Sequence, residues 1–282
     1  MRDVAYRIPW RTSGVRVGVH KSRHTGGSGL FNDFAPFIAS PDPRRIAVRA
    51  SLVDPFENLL VSRYQQTSSI AVHVLIDISA SMGCTGRADK MAIACDVAET
   101  LAICATRAGD SFGLMACDSR ISDEHFLPAT RSLGAATAVI DSLRGLQPSR
   151  PGVSGLADAA QSIAGRKKLI CIVSDFQWSD EDVATTFAAL AEHDCLAIEI
   201  DDSGFVAELP EWGLLRLRDA ETGSARLVAM RPSLKAAWQQ RETTRHHKLA
   251  SRARQNGRDL FTIKNQIVWD RFASYLMHGS AT

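Results

Sequence analysis

Three oxygen-bearing side chains alternate over five residues in DISASM: Asp77, Ser79 and Ser81. They follow the apolar run SIAVHVLI at once, so the sequence sets them at the end of a strand covered on both faces. One carboxylate and two hydroxyls at this spacing can turn several oxygens toward one point above a sheet edge. Hard oxygen donors in a partly hydrated octahedron suit Mg²⁺, and Mn²⁺ accepts the same donors. No soft ligand accompanies them, which argues against zinc and copper. Two further oxygens arrive at comparable places. Ser154 lies in the loop PGVSG just ahead of a helix, and Asp175 ends the strand LICIVSD. Taken alone, Asp77, Ser79 and Ser81 read equally well as a capped turn, because Asp and Ser bond local backbone amides.

The elements that must carry these residues follow from periodicity. After Ser69 the chain alternates strand and helix. SIAVHVLI leads to a buried helix over 89–107, with Asp89 as N-cap and Gly109 as stop. The strand SFGLMACD, the helix RSLGAATAVIDSLRGL and the shorter helix SGLADAAQSIAG come next. The strand KKLICIVSD, the helix SDEDVATTFAALAEHD with its Ser-x-x-Asp capping pattern and the strand CLAIEID complete the run. This order predicts an α/β domain over 69–202, with a mostly parallel central sheet flanked by helices and right-handed crossovers. Residues 1–68, rich in Arg, Gly and Pro, read as an N-terminal extension that packs on the core. Within it HKSRHTGGSG reads as a loop, and SPDPRR as a turn followed by a short extended piece. Residues 203–282 read as a strand pair in LLRLRDAETGSARLVAM, a long polar helix over about 233–256, a short strand DLFTI and an amphipathic helix near 265–278.

Bulk properties narrow the function classes. The 33 basic and 31 acidic residues nearly cancel, to a net +2, so charge gives no reason to expect nucleic acid or an anionic membrane as main partner. MRDVAYRIPWRTSG lacks the apolar core of a secretory signal, and no apolar stretch approaches the roughly 20 residues of a bilayer span. Six cysteines show neither paired nor metal-type spacing. Reduced core thiols in a cytoplasmic protein are the expectation.

DISASM, the loop serine of GVSGLADA, and IVSDF together resemble the metal-ion-dependent adhesion site (MIDAS) of the von Willebrand factor A fold. GSGLFNDFAPFIASPDPRRI upstream, and ELPEWGLLRLRDAETG with the basic helix after it, resemble domain-of-unknown-function family 58. That is a bacterial group of von Willebrand A-like proteins often encoded beside MoxR-type AAA+ ATPases, and the likeness runs over about 14–275. It implies a Rossmann-like von Willebrand A sheet. It also implies that Ser79 and Ser81 ligate the metal directly, with Ser154 in place of the family's loop threonine, and that Asp77 and Asp175 act directly or through water. The expected ion is Mg²⁺, with Mn²⁺ or Ca²⁺ as alternatives. The open coordination position would take an acidic residue of a MoxR-type ATPase or of its client protein. The family carries an acid and a tryptophan after its Arg-Ile step, where this chain has Ala47 and Val48. Among divergent members, the chain resembles the branch encoded with methanol dehydrogenase genes.

The expected function is a metal-dependent protein-binding adaptor, not an enzyme, with all five residues in the site. The alternatives are a metal-dependent phosphohydrolase-like enzyme and a structural domain with a vestigial metal site. A haloacid-dehalogenase-type nucleophile needs a second aspartate where Ser79 stands. GVSGL lacks the Gly two residues after Ser154 that a nucleophile elbow requires, and no Gly-rich phosphate loop with Lys is present. The helix QQRETTRHHKLASRARQNGR reads first as a solvated basic face and second as a docking face. His73 reads as a hydrogen-bonded core histidine, His246 and His247 as surface, and Asp201 and Asp202 as solvated.

Overall fold

The computed structural model describes residues 4–12, 18–26, 30–84, 88–202, 209–218 and 224–280. They fall into two compact units. The smaller comprises Ile8–Ile70 with Ala108–Asp110, and the larger Met1–Arg7, Ala71–Arg107 and Ser111–Thr282.

In the smaller unit β1 (His20–Gly26), β2 (Leu30–Pro36) and β3 (Leu60–Ser68) form an antiparallel sheet in the order β1-β3-β2. The expectation of a loop over HKSRHTGGSG is therefore corrected for 20–26, which is strand; residues 27–29 lie outside the described residues. Pairing with β3 satisfies a backbone that local propensity alone would leave in a loop. Buried hydroxyls of Thr12 and Ser68 hydrogen-bond each other. Asp110 accepts from Ile70 N at 2.8 Å and lies 2.7 Å from His20 Nε2. SPDPRR turns as expected, with Asp42 accepting from Arg44 N at 3.1 Å. A short extended piece follows, with Ile46 bridged to Val61 and Ala47 N donating to Leu60 O at 2.8 Å. The chain then enters the short helix α1 (Val48–Val53), with Ala47 as its N-cap. Val48, Leu52 and Val53 on α1 are exposed.

The larger unit is built on a six-stranded sheet in the order β11-β8-β7-β4-β5-β6. It contains β4 (Ala71–Asp77), α2 (Lys90–Arg107), β5 (Ser111–Cys117), β6 (Ile121–Thr130), α3 (Leu133–Arg144), α4 (Ser154–Ser162) and β7 (Leu169–Ser174). It continues with α5 (Asp180–Ala189), β8 (Asp194–Asp201), β9 (Gly213–Arg218), β10 (Ala225–Met230), α6 (Pro232–Gln255), β11 (Phe261–Lys264) and α7 (Trp269–His278). All sheet neighbours run parallel except the edge strand β6, which is antiparallel to β5. Strand β6 is a difference from the sequence reading: its exposed, polar alternation with Pro128 marks an edge, where proline costs no ladder bond. Of the strands after 202, β11 joins this sheet by pairing with β8. β9 and β10 form the expected antiparallel pair; the turn between them lies outside the described residues over 219–223.

The core explains the strands' unbroken apolarity. Leu75, Ile170, Ile172 and Ala197 of the sheet pack with Leu156, Val183, Phe187 and Leu249 from α4, α5 and α6. α2 buries Met91, Ala94, Cys95, Ala98, Leu101 and Ala102, the stripe its 3.6-residue period demands. Asp89 caps it by accepting from Ala92 N at 2.9 Å, and Ser179 caps α5 by accepting from Asp182 N at 3.1 Å. Cys95, Cys104, Cys117, Cys171 and Cys195 are buried, and Cys84 is exposed. Burial pushes the thiols of Cys95 and Cys195 up, to about 11 and about 12. No helix among the described residues is long and apolar enough to cross a membrane.

Candidate metal site

The strand order reverses direction at β4, whose neighbours β5 and β7 follow by separate crossovers. The carboxyl end of such a strand is where open α/β sheets collect ligands. The register Ile76↔Val173 sets Asp77 beside Ser174, with Asp175 one residue beyond. Past Asp77 the chain enters a 3-10 turn (Ala80–Gly83). This turn is pinned from outside: Ala80 N donates to Arg150 O at 2.9 Å.

Asp77, Ser79, Ser81 and Asp175 form one connected cluster. Asp77 is fully buried, and its Oδ1 accepts from Ser79 N at 2.8 Å. Its Oδ2 accepts from Ser174 Oγ at 2.5 Å and from Trp178 Nε1 at 2.9 Å. Ser79 Oγ and Ser81 Oγ are 3.2 Å apart, and Ser81 Oγ donates to Asp175 Oδ1 at 3.2 Å. Lys90, the first residue of α2, reaches back so that Nζ donates to Asp175 Oδ2 at 2.8 Å and to Ser81 O at 3.0 Å. Its side chain is only 8% exposed.

Ser154 stands apart from these contacts. It is exposed, and its Oγ donates to Ser119 O at 2.9 Å. Ser154 is the first residue of α4 and not part of the loop ahead of it, and this helix start is tied to the same sheet end. Gly155 N donates to Asp118 O at 3.0 Å, and Arg150 Nη1 lies 3.8 Å from Asp118 Oδ2. Gly155 sits so close to Arg120 that an added Cβ would lie 2.4 Å from its carbonyl carbon. Asp118, buried at the end of β5, is a third carboxylate at this edge and accepts from Arg120 N at 3.0 Å.

The electrostatics favour added positive charge. Burial, then the negative charge of Asp175, pushes the Asp77 carboxyl up to about 6, against the hydrogen bonds from Ser174 and Ser79. The Lys90 ammonium pairs with Asp175, whereas the groups that hold Asp77, the Ser79 amide, the Ser174 hydroxyl and the Trp178 indole, are neutral. Hydroxyls and carboxylates are hard donors, so the residues present fit a hydrated cation of the Mg²⁺ class. Among the described residues no three His, Cys, Asp or Glu side chains form a metal cluster; the site would depend on its serines.

Several residues at this edge escaped the sequence reading. Ser174 and Trp178 hold Asp77, and Lys90 holds Asp175. Glu199, buried in β8, binds α6: Arg245 Nη2 is 3.1 Å from Oε1, and His246 Nδ1 is 2.7 Å from Oε2. Arg245 Nη1 also donates to Phe176 O at 3.1 Å. The basic helix is therefore partly a structural clamp, and His246 is half-buried in it. His247 is exposed, as read. The Glu199 contact pulls the His246 imidazole above its ordinary value. Asp201 faces Lys264 Nζ at 4.0 Å, in contrast to the solvated acid expected. His73 lies within the sheet as expected, but its buried Nδ1 makes no hydrogen bond among the described residues, and burial depresses the imidazole to about 4.

Residues 56–248 match the family described as protein of unknown function DUF58. The "uncharacterized protein in moxR 3'region" of Paracoccus denitrificans is 37% identical over 73 residues, covering 26% of this chain and 70% of that protein. The conserved hypothetical protein BatB from Bacteroides thetaiotaomicron is 15% identical with a TM-score of 0.44, over 74% of this chain and 97% of that one. The SpRpn10 VWA domain is 12% identical with a TM-score of 0.42, over 76% and 98%.

Proposed function

The chain belongs to the DUF58 family, and on that premise we propose that it is a cation-dependent protein-binding adaptor. Asp77, Ser79, Ser81 and Asp175, with Ser154 at the start of α4, would hold a divalent ion, Mg²⁺ before Mn²⁺ or Ca²⁺. The bound ion would supply a positive centre with room for one more oxygen ligand, a carboxylate from a partner protein. The observation that carries this reading is the chain of hard oxygens from Ser79 Oγ through Ser81 Oγ to Asp175 Oδ1, with 3.2 Å at each step.

The chain's own residues prepare that contact. Ser174, Trp178 and the Ser79 amide hold both oxygens of Asp77. A fully buried carboxylate engaged on both oxygens is poorly placed to attack a substrate, which favours binding over phosphoryl transfer. The bridge at Arg150 fixes the turn that bears the serines. A partner drawn from MoxR-type AAA+ ATPases, or from the clients such an ATPase assembles, is supported by the Paracoccus relative named for its place in the moxR 3' region. A client related to methanol dehydrogenase is the narrower form of this reading.

The test combines a thermal scan in Mg²⁺ against chelator with affinity for the purified MoxR-type ATPase of the same host. A ligand that binds only the folded state at a hundredfold excess over its Kd stabilises by about 2.7 kcal/mol, so the melting temperature should rise in Mg²⁺. Ser79→Ala should remove both that rise and the ATPase binding. An unchanged melting temperature across Mg²⁺, Mn²⁺, Ca²⁺ and chelator would refute the metal reading.

A further inference from the structure

We infer that Arg150 makes the cation site selective for a protein carboxylate: one oxygen of a partner's Asp or Glu meets the ion, and the Arg150 guanidinium holds the other. This deepens the adaptor reading and rests on it.

Arg150 is set beside the site by its backbone. It is bridged in parallel to Ser79, and Ala80 N donates to Arg150 O at 2.9 Å. Residues paired in this way send their side chains to the same face of the ladder. Arg150 therefore leaves on the face from which Ser79 Oγ turns toward Ser81. The segment that carries it is clasped on both sides. A Cβ on Gly83, in the serine-bearing turn, would lie 2.3 Å from Pro148 O, and one on Gly152 would lie 3.4 Å from Ser119 Cβ. Gly152 has φ +90°, a conformation that favours glycine. This backbone is ordered before a partner arrives, which lowers the entropic cost of the contact.

The side chain itself is loosely held. It is 62% exposed, and its one ion pair among the described residues is with Asp118 at 3.8 Å, beyond hydrogen-bond length. Asp118 offsets the guanidinium's charge, but its Oδ1 already accepts from Arg120 N. A pair this open contributes little and is readily exchanged for a better partner. A planar fork of N–H donors beside a cation fits an anion with two oxygens in one plane. A side-chain amide would bring N–H against the guanidinium, and a hydroxyl offers a single oxygen. Neither satisfies ion and fork together.

The test measures affinity of the full-length chain for the purified MoxR-type ATPase of its host in Mg²⁺, for wild type, Arg150→Gln, Arg150→Lys and Ser79→Ala. Arg150→Gln should bind about thirtyfold more weakly, since it loses a charge-assisted hydrogen bond. Arg150→Lys keeps the charge and loses the fork, so it should fall by about fivefold. The Mg²⁺-induced rise in melting temperature should match wild type in both, because Arg150 does not ligate the ion. Wild-type affinity in both Arg150 variants, with loss in Ser79→Ala, would sink the Arg150 assignment and leave the adaptor reading standing. Wild-type affinity in Arg150→Lys alone would reduce the contact to charge and overturn the fork. A lost Mg²⁺ response in Arg150→Gln would make Arg150 part of the ion site and overturn the proposal too. No measurable binding by wild type would overturn both readings.

Discussion

Lys90 Nζ lies 2.8 Å from Asp175 Oδ2, and both side chains are more than nine-tenths buried. The ammonium supplies positive charge where the adaptor reading sets a divalent ion, so lysine and ion compete for the same carboxylate. Removing one partner of a buried pair costs about 3–5 kcal/mol, because the other charge is left uncompensated. Lys90→Met should therefore melt lower than wild type in chelator and show a larger rise on adding Mg²⁺. Paired thermal scans check this, and an equal or smaller rise would mean that Lys90 assists the ion.

Trp178→Phe keeps an aromatic ring packed on Phe176 and deletes the Nε1 donor to Asp77. An unsatisfied buried acceptor costs about 1–3 kcal/mol, although Ser174 still holds the same oxygen. The expected result is a denaturation midpoint lower by that order with an unchanged slope, read in urea.

Gly155→Ala tests the first turn of α4, which carries Ser154. Its Cβ would meet the Arg120 carbonyl carbon at 2.4 Å, a backbone contact that cannot swing away. Overpacking of this kind costs about 1–3 kcal/mol. The variant should lose stability and, because Ser154 moves with the helix start, part of its response to Mg²⁺. Ser154→Thr, which retains the hydroxyl, should keep that response.

His246 sets a pH dependence of known sign. Its folded-state value is raised, first by the hydrogen bond to Glu199. The stability it contributes is fully present below the ordinary value of 6.5 and fades as pH climbs through the raised one. The melting-temperature gap between wild type and His246→Gln should be widest at mildly acidic pH and close at alkaline pH. A constant gap would show that the imidazole acts only by packing.

The larger unit was legible wherever burial was complete. β4, β7 and β8 are nearly uninterrupted apolar runs, and α2 shows its stripe because two layers cover it. Asp77, Ser79, Ser81 and Asp175 could be read together because each sits just past such a run. Lys90 could not, since a lysine at a helix start nearly always reaches water and only the fold reveals the turn it bends toward. Ser174 and Trp178 were hidden for a related reason: their partner Asp77 is about a hundred residues away in sequence. β1 and β6 escaped because an edge strand of polar residues owes its form to pairing with a neighbour, which local pattern does not encode.

Of six thiols, five are sealed in the interior and Cys84 alone lies open, three residues past Ser81 at the C-cap of the same short turn. Maleimide dyes need an accessible thiolate, so the native protein should take one fluorophore at one known position without any engineering. Its colour or brightness would then report, in real time, on whatever settles beside it.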